Sequence, residues 1–189
     1  MKKNSLLFWQ PQFDFLRFFE RSPAGKTLVV IFNYAIWFFL FATAFILIKN
    51  QIGIFWQLLA ATFLGEIVER IGKSHAIWRR PLFQRHDSTP VGLVDRWYKT
   101  GSFPSGHTIK ATFFFLFVLQ YQFFHPSVFL GISLPLLFFR VLIGFHYPID
   151  MLGGLIFGVI IWFLTRQIAA PDAWTQIIHV IFNTIFFIK

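Results

Sequence analysis

The chain has no cysteine. Disulfides and thiolate metal sites are therefore excluded, and the redox compartment is left open. Charge is scarce as well: Asp, Glu, Lys and Arg make up 13% of the 189 residues, against about 25% in an ordinary soluble domain. Acidic groups are the scarcest, 8 against 17 Lys and Arg, for a net charge of +9. So few carboxylates leave no carboxylate-rich cluster of the kind magnesium takes. No internal repeat is present. No cleavable signal peptide is expected, because the first apolar run is broken by Pro11 and Asp14 and no small-residue cleavage site follows.

Apolar side chains are what the chain has in excess: 56% hydrophobic and 21% aromatic. A basic chain this apolar does not read as a nucleic-acid binder. An anionic lipid surface or an anionic lipid substrate is the partner that fits. The length suits one domain, and nothing in the sequence sets an oligomeric state.

A membrane span needs about 20 apolar residues. Five stretches qualify: 27–48, 52–71, 104–124, 127–143 and 148–164. The second carries Glu66, Glu69 and Arg70 near its end, which points that end toward a polar region. Residues 72–103 form a long polar loop, and loops of that length are usually functional. Residues 5–21 alternate aromatic and polar groups and read as an interfacial helix. Residues 173–188 are either a second interfacial helix, the preferred reading, or a short sixth span. The expected fold is all-α: a polytopic integral membrane helical bundle of five, or six, spans in one domain. Gly154 and Gly158 suit close helix packing.

Counting five crossings puts the N-terminus, the 72–103 loop and the link after Arg140 on one side. Three polar clusters then gather at one membrane face. The first is Lys73 with Arg80-Pro81, the second Pro104-Ser105-Gly106-His107, the third Arg140, His146 and Asp150. Pro148 suits the first turn of a helix, so Asp150 falls in that turn and can hold one nitrogen of His146, leaving the other to attack. Exposed N–H groups at the start of the third span bind anions, Gly106 allows close approach, and Ser105 can donate. His107 is placed as a general acid. Arg80 and Arg140 offer forks that fit phosphate oxygens, and Lys73 adds a point charge. An arginine inside a span costs about 2.5–3.5 kcal/mol on insertion scales, so Arg140 is unlikely to be incidental. Taken singly, each cluster has a plainer reading: an interfacial histidine with a first-turn acid, a helix-start turn, a cation reaching headgroups. Lys110, one turn into the third span, is a further candidate for the same cavity, and Glu66 and Glu69 read as partners of Arg70 or Lys73.

Together these clusters resemble the three-part signature of the type 2 phosphatidic acid phosphatase superfamily. One position departs: the residue before Arg140, usually serine, is Phe139. The resemblance implies a metal-free, cofactor-free lipid phosphatase. His146 would be the nucleophile, forming a phosphohistidine, with Asp150 orienting it and His107 protonating the leaving group and then activating water. Lys73, Arg80, Ser105, Gly106 and Arg140 would hold the phosphoryl oxygens. The compact layout is similar to bacterial undecaprenyl-diphosphate phosphatases, implying a lipid diphosphate substrate and a site on the outer face of the cytoplasmic membrane. Phosphatidylglycerol phosphate, phosphatidic acid and lipid A are the alternative substrates. A non-catalytic binder of anionic lipids is the alternative of another class. The basic residues outside the site loops, Lys2, Lys3, Arg17, Arg21 and Lys26 on the site side against Lys49 and Arg166 opposite, argue for a cytoplasmic site instead. A crossing by residues 5–21 would ease that conflict.

Overall fold

The computed structural model describes residues 6–10, 22–81 and 101–186, with the backbone alone at Asn33. Six helices follow in order: α1 Pro23–Asn50, α2 Ile52–Ser74, α3 Gly106–Tyr121, α4 Pro126–Leu142, α5 Pro148–Thr165 and α6 Asp172–Phe186. A short 3-10 turn, Leu6–Phe8, precedes them. This is an all-helical membrane bundle.

Local chemistry sets the starts. The Ser22 hydroxyl accepts from the Gly25 N–H at 2.9 Å, and Pro23, Pro126 and Pro148 open α1, α4 and α5, where a missing N–H is harmless. Only Gln51 separates α1 from α2, so the two form a tight hairpin. On α1, Val29, Ile36, Leu40, Thr43 and Leu47 are buried in one stripe, whereas Phe38 and Phe41 are exposed. An apolar helix exposing aromatics on its outer face suits lipid rather than water.

By length and composition α1, α2 and α5 can each cross a membrane, and α4 is a shorter apolar helix. The expected third span is shorter than its sequence window, 16 residues from Gly106 to Tyr121. Its own ends explain this: Ser105 caps the start, and Gln122 takes a left-handed φ of 50° at the C-cap. Ile109, Phe113, Phe114, Phe117 and Val118 are fully buried, and α3 packs against α1, α2, α4 and α5. The expected helix over 5–21 lies mostly outside the described residues, and the described part is the single turn. At 15 residues, α6 is about 22 Å long, short of the ~30 Å hydrocarbon core. It docks at the end of the bundle away from the polar clusters, through Phe182 on Phe45 and Thr175 on the Trp56 indole.

The α3–α5 contact is the most extensive in the fold. Gly154 and Gly158 make it possible, as their spacing indicates. A Cβ at Gly154 would lie 2.6 Å from Thr108 Cβ and 2.8 Å from the Ser105 carbonyl. One at Gly158 would lie 2.5 Å from Thr112 Cβ and 2.8 Å from the Ile109 carbonyl. Gly154→Ala and Gly158→Ala should each destabilise the detergent-solubilised protein by about 1–3 kcal/mol, the usual cost of overpacking. A thermal-shift measurement reads this as a lowered midpoint, and Gly53→Ala, where nothing lies within 4 Å, is the control.

Candidate active site

The link from α4 to α5 is shaped by its own sequence. Gly144 adopts a left-handed φ of 75°. The Phe145 N–H then donates to the Arg140 carbonyl and the Gly144 N–H to the Val141 carbonyl, both at 3.0 Å. This is the bond pair of a Schellman turn. The His146 N–H also reaches the Arg140 carbonyl, at 3.3 Å. The chain folds back on the end of α4, and His146 is buried to 1% exposure.

Pro148 follows, and α5 begins. The Asp150 Oδ2 turns back to accept from the Tyr147 N–H at 2.8 Å, the carboxylate half of a capping box. Its Oδ1 accepts from the Trp78 indole N–H at 2.8 Å, and its backbone carbonyl accepts from the Ser105 N–H at 3.1 Å. One residue therefore ties the segment after α2, the start of α3 and the start of α5 together. The imidazole Nδ1 of His146 lies 3.4 Å from Asp150 Oδ2, yet has no hydrogen-bond partner among the described residues. The expected pair is adjacent, but the shorter bonds of the carboxylate go to Tyr147 and Trp78.

The cations converge from three elements. Lys73 sits in the last turn of α2. Arg80 is 2% exposed and donates to the Phe145 carbonyl at 3.4 Å, whereas Arg79 is exposed. Arg140 lies 3.3 Å from His107 Nε2. Burial, and then the charges of Arg80, Arg140 and Lys73, hold the His146 pKa well below its ordinary 6.5, with Glu69 acting in the opposite sense. A neutral imidazole ringed by fixed cations is complementary to an anion.

At the start of α3, the Ser105 Oγ accepts from the Thr108 hydroxyl at 3.0 Å and from its N–H at 3.4 Å, as an N-cap does. Gly106 has a reason the sequence did not show: a Cβ there would collide with the Glu69 carboxylate. That carboxylate pairs with Lys73 and, at 2.9 Å, with Lys110. It lies against a helix N-terminus, where negative charge is favoured.

The sequence model of the PAP2 superfamily matches residues 54–174, which contain every one of these groups. The chain belongs to the PAP2 superfamily. It is 38% identical over 60 residues to YbjG of Escherichia coli (strain K12), named as a candidate undecaprenyl-diphosphatase, a match covering 31% of this chain and 30% of YbjG. It is 36% identical over 83 residues to the lipid A 1-phosphatase of Rhizobium johnstonii, covering 39% and 34% of the two chains. These matches span about a third of the relatives' own lengths. The crystal structure of Aquifex aeolicus LpxE superposes with a TM-score of 0.60 at 19% identity, over 82% of this chain and 94% of that one. At that identity the likeness is one of fold.

Within this PAP2 fold, Lys73, Arg80, Ser105, Gly106, His107, Arg140, His146 and Asp150 all lie at one end of the bundle. Phe139, where the resemblance leads one to expect serine, packs on the Phe32 ring at 4.9 Å. The charged residues of the 72–103 loop that read as loop surface, Arg85, His86, Asp87, Asp95, Arg96 and Lys99, lie outside the described residues. Sequence reasoning missed Trp78 as the donor to Asp150, since nothing in a lone tryptophan reveals its partner. It placed Glu69 beside Lys73, but not beside Lys110. The turn at Gly144 was legible in principle, as a glycine after an apolar run with a proline soon after.

The low pKa of His146 has a consequence for stability. Its folded pKa lies below its unfolded value of 6.5, so below that pH the unfolded chain binds a proton that the folded one does not. The stability is fully present above pH 6.5 and is lost as pH falls toward the folded pKa, by at most about 1.4 kcal/mol per pH unit. Thermal unfolding across pH 7.5 to 5 should show this slope, and His146→Asn should flatten it. An unchanged slope in the variant would place the titrating group elsewhere.

Proposed function

We propose that this chain is a membrane lipid phosphatase that hydrolyses undecaprenyl diphosphate to undecaprenyl phosphate and phosphate, through a phosphohistidine at His146. The observation that carries the reading is the buried imidazole, kept neutral among Arg80, Arg140 and Lys73. A neutral nitrogen is nucleophilic, and its cationic surroundings favour a phosphoryl group over water.

The reaction runs in two displacements. The Nε2 lone pair of His146 attacks the terminal phosphorus, since Nδ1 faces Asp150. The bond from phosphorus to the bridging oxygen breaks, and His107 delivers a proton to that oxygen. His107, now neutral, takes a proton from water, which attacks the phosphorus and breaks the P–N bond. Lys73, Arg80, Arg140, the Ser105 hydroxyl and the Gly106 N–H hold the equatorial oxygens, and the phosphoryl group displaces Glu69 from Lys73. Asp150 holds the imidazole, and the 3.4 Å separation tightens when substrate is bound, as catalytic contacts commonly do. No metal or cofactor is assigned to any step. The site faces the outer side of the cytoplasmic membrane, following the family resemblance.

A second reading is a phosphatase of lipid A. It is favoured by the longer alignment to the Rhizobium enzyme and rests on the same residues and chemistry. Phosphatidic acid and phosphatidylglycerol phosphate are further substrates of that kind. A panel assay of phosphate release from purified protein separates these readings. The expected result is the highest kcat/KM on the C55 diphosphate, unchanged turnover in EDTA, and a loss of about 10³-fold or more in His146→Ala with folding intact. Faster release from lipid A establishes the second reading. Phosphate binding with no release from any lipid would leave a non-catalytic lipid binder.

A further inference from the structure

Helices α4 and α5 are consecutive and joined by five residues, 143–147, yet they make no extended packing contact with each other. Between them lies a cavity of about 500 Å³. Leu134, Phe138 and Val141 line it from α4, Met151 and Leu155 from α5, and Trp9 stands at its rim. Its polar wall is Thr108, whose hydroxyl reaches both the Ser105 Oγ at 3.0 Å and the Met151 Sδ at 3.3 Å. The apolar cavity therefore begins one side chain away from the polar cluster. Leu134, Phe138 and Leu155 are also 49% exposed or more, so its far side opens onto the outer surface of the bundle.

Among the described residues, two other flanks of the cluster are closed. The α3–α5 seam is closed by Gly154 and Gly158 against Thr108 and Thr112. The α2–α3 seam is filled by the Lys110 ammonium with Glu66 at 2.5 Å and Glu69 at 2.9 Å, which no hydrocarbon would displace.

We propose that the α4–α5 groove is the binding site for the phosphate-proximal part of a single polyprenyl chain. This rests on the lipid-phosphatase reading above. The groove is one interhelical gap wide. Its volume lies in the range of sites that hold one small ligand, about 300–1,000 Å³. A single hydrocarbon chain fits it, methyl branches included, whereas a lipid with several acyl chains would leave most of them outside. Trp9 lines the groove from the N-terminal side. It is held there by its neighbours, since Phe8 packs edge-on against Trp78 and Tyr147, at 5.4 and 5.3 Å, and Gln10 donates to the Tyr147 hydroxyl at 3.3 Å.

Two measurements on the full chain test this. In the first, Leu134→Trp and Leu155→Trp, separately and together, fill the groove without touching the polar cluster. The kcat/KM for C55 diphosphate should fall at least about tenfold, while that for isopentenyl diphosphate, too short to use the groove, stays within about twofold. Equal losses on both substrates, or no loss on either, overturn the proposal. In the second, a polyprenyl phosphate carrying a diazirine in its first isoprene unit is photolysed with the protein in nanodiscs. Label should concentrate in 134–141 and 148–155 and be competed by unlabelled polyprenyl phosphate, not by phosphatidic acid. Label spread evenly over outward faces such as Phe41 and Phe63, or competition by phosphatidic acid alike, overturns it. The labelling needs no turnover. Labelled grooves in a protein that releases no phosphate would sink the phosphatase reading and leave the groove assignment standing.

Discussion

Three fixed cations from three separate elements, Lys73, Arg80 and Arg140, are held around one buried imidazole. Like charges removed from water repel one another and lose hydration, and they stay together only if an anion or a rigid frame holds them. Part of that role falls to Glu69, whose carboxylate pairs with Lys73 and Lys110. In the proposed reaction a phosphoryl group takes it over. Much else in the structure serves this arrangement. The missing side chain at Gly106 leaves the space that the Glu69 carboxylate takes up. The Schellman turn at Gly144 brings His146 back onto the end of α4, which carries Arg140.

Rigidity comes from one central helix and one residue. Helix α3 is wrapped by four others, and the glycine seam with α5 brings the two helix starts together, so Ser105 and Asp150 are neighbours. Asp150 then joins three segments through its own carbonyl, Tyr147 and Trp78. Aromatic contacts from Phe8 to Trp78 and Tyr147 cover this knot. The same stiffness leaves α4 as the neighbour that does not close on α5. The polar end of the bundle thus has a cluster of charges with an apolar groove beside it.

The helices were legible because each obeys a simple rule. The apolar run of α1, the prolines opening α4 and α5, and Gly154 with Gly158 all acted in the structure as their chemistry implies. Counting five crossings led to the expectation that the clusters converge, and in the structure they meet at one end of the bundle. What could not be read was partnership. Nothing in the sequence says that Trp78 donates to Asp150, or that Glu69 rather than a ligand fills the space over Gly106. Such contacts join residues far apart in the chain, and no local spacing encodes them. The ends of α3 fall inside its apolar run, at the Ser105 cap and the left-handed Gln122, and hydropathy does not mark caps.

The central claim is that the His146 nitrogen carries the phosphoryl group between the two displacements. Trapping the intermediate tests it most directly. The protein is mixed with a terminally labelled lipid diphosphate, quenched in alkali within a turnover, digested and sequenced by mass spectrometry. Acid-labile, alkali-stable phosphate on the peptide bearing His146, absent in His146→Ala and longer-lived when His107 is replaced by Gln, is the predicted result. Active protein that yields no labelled peptide under those conditions, or label on a different residue, would contradict it.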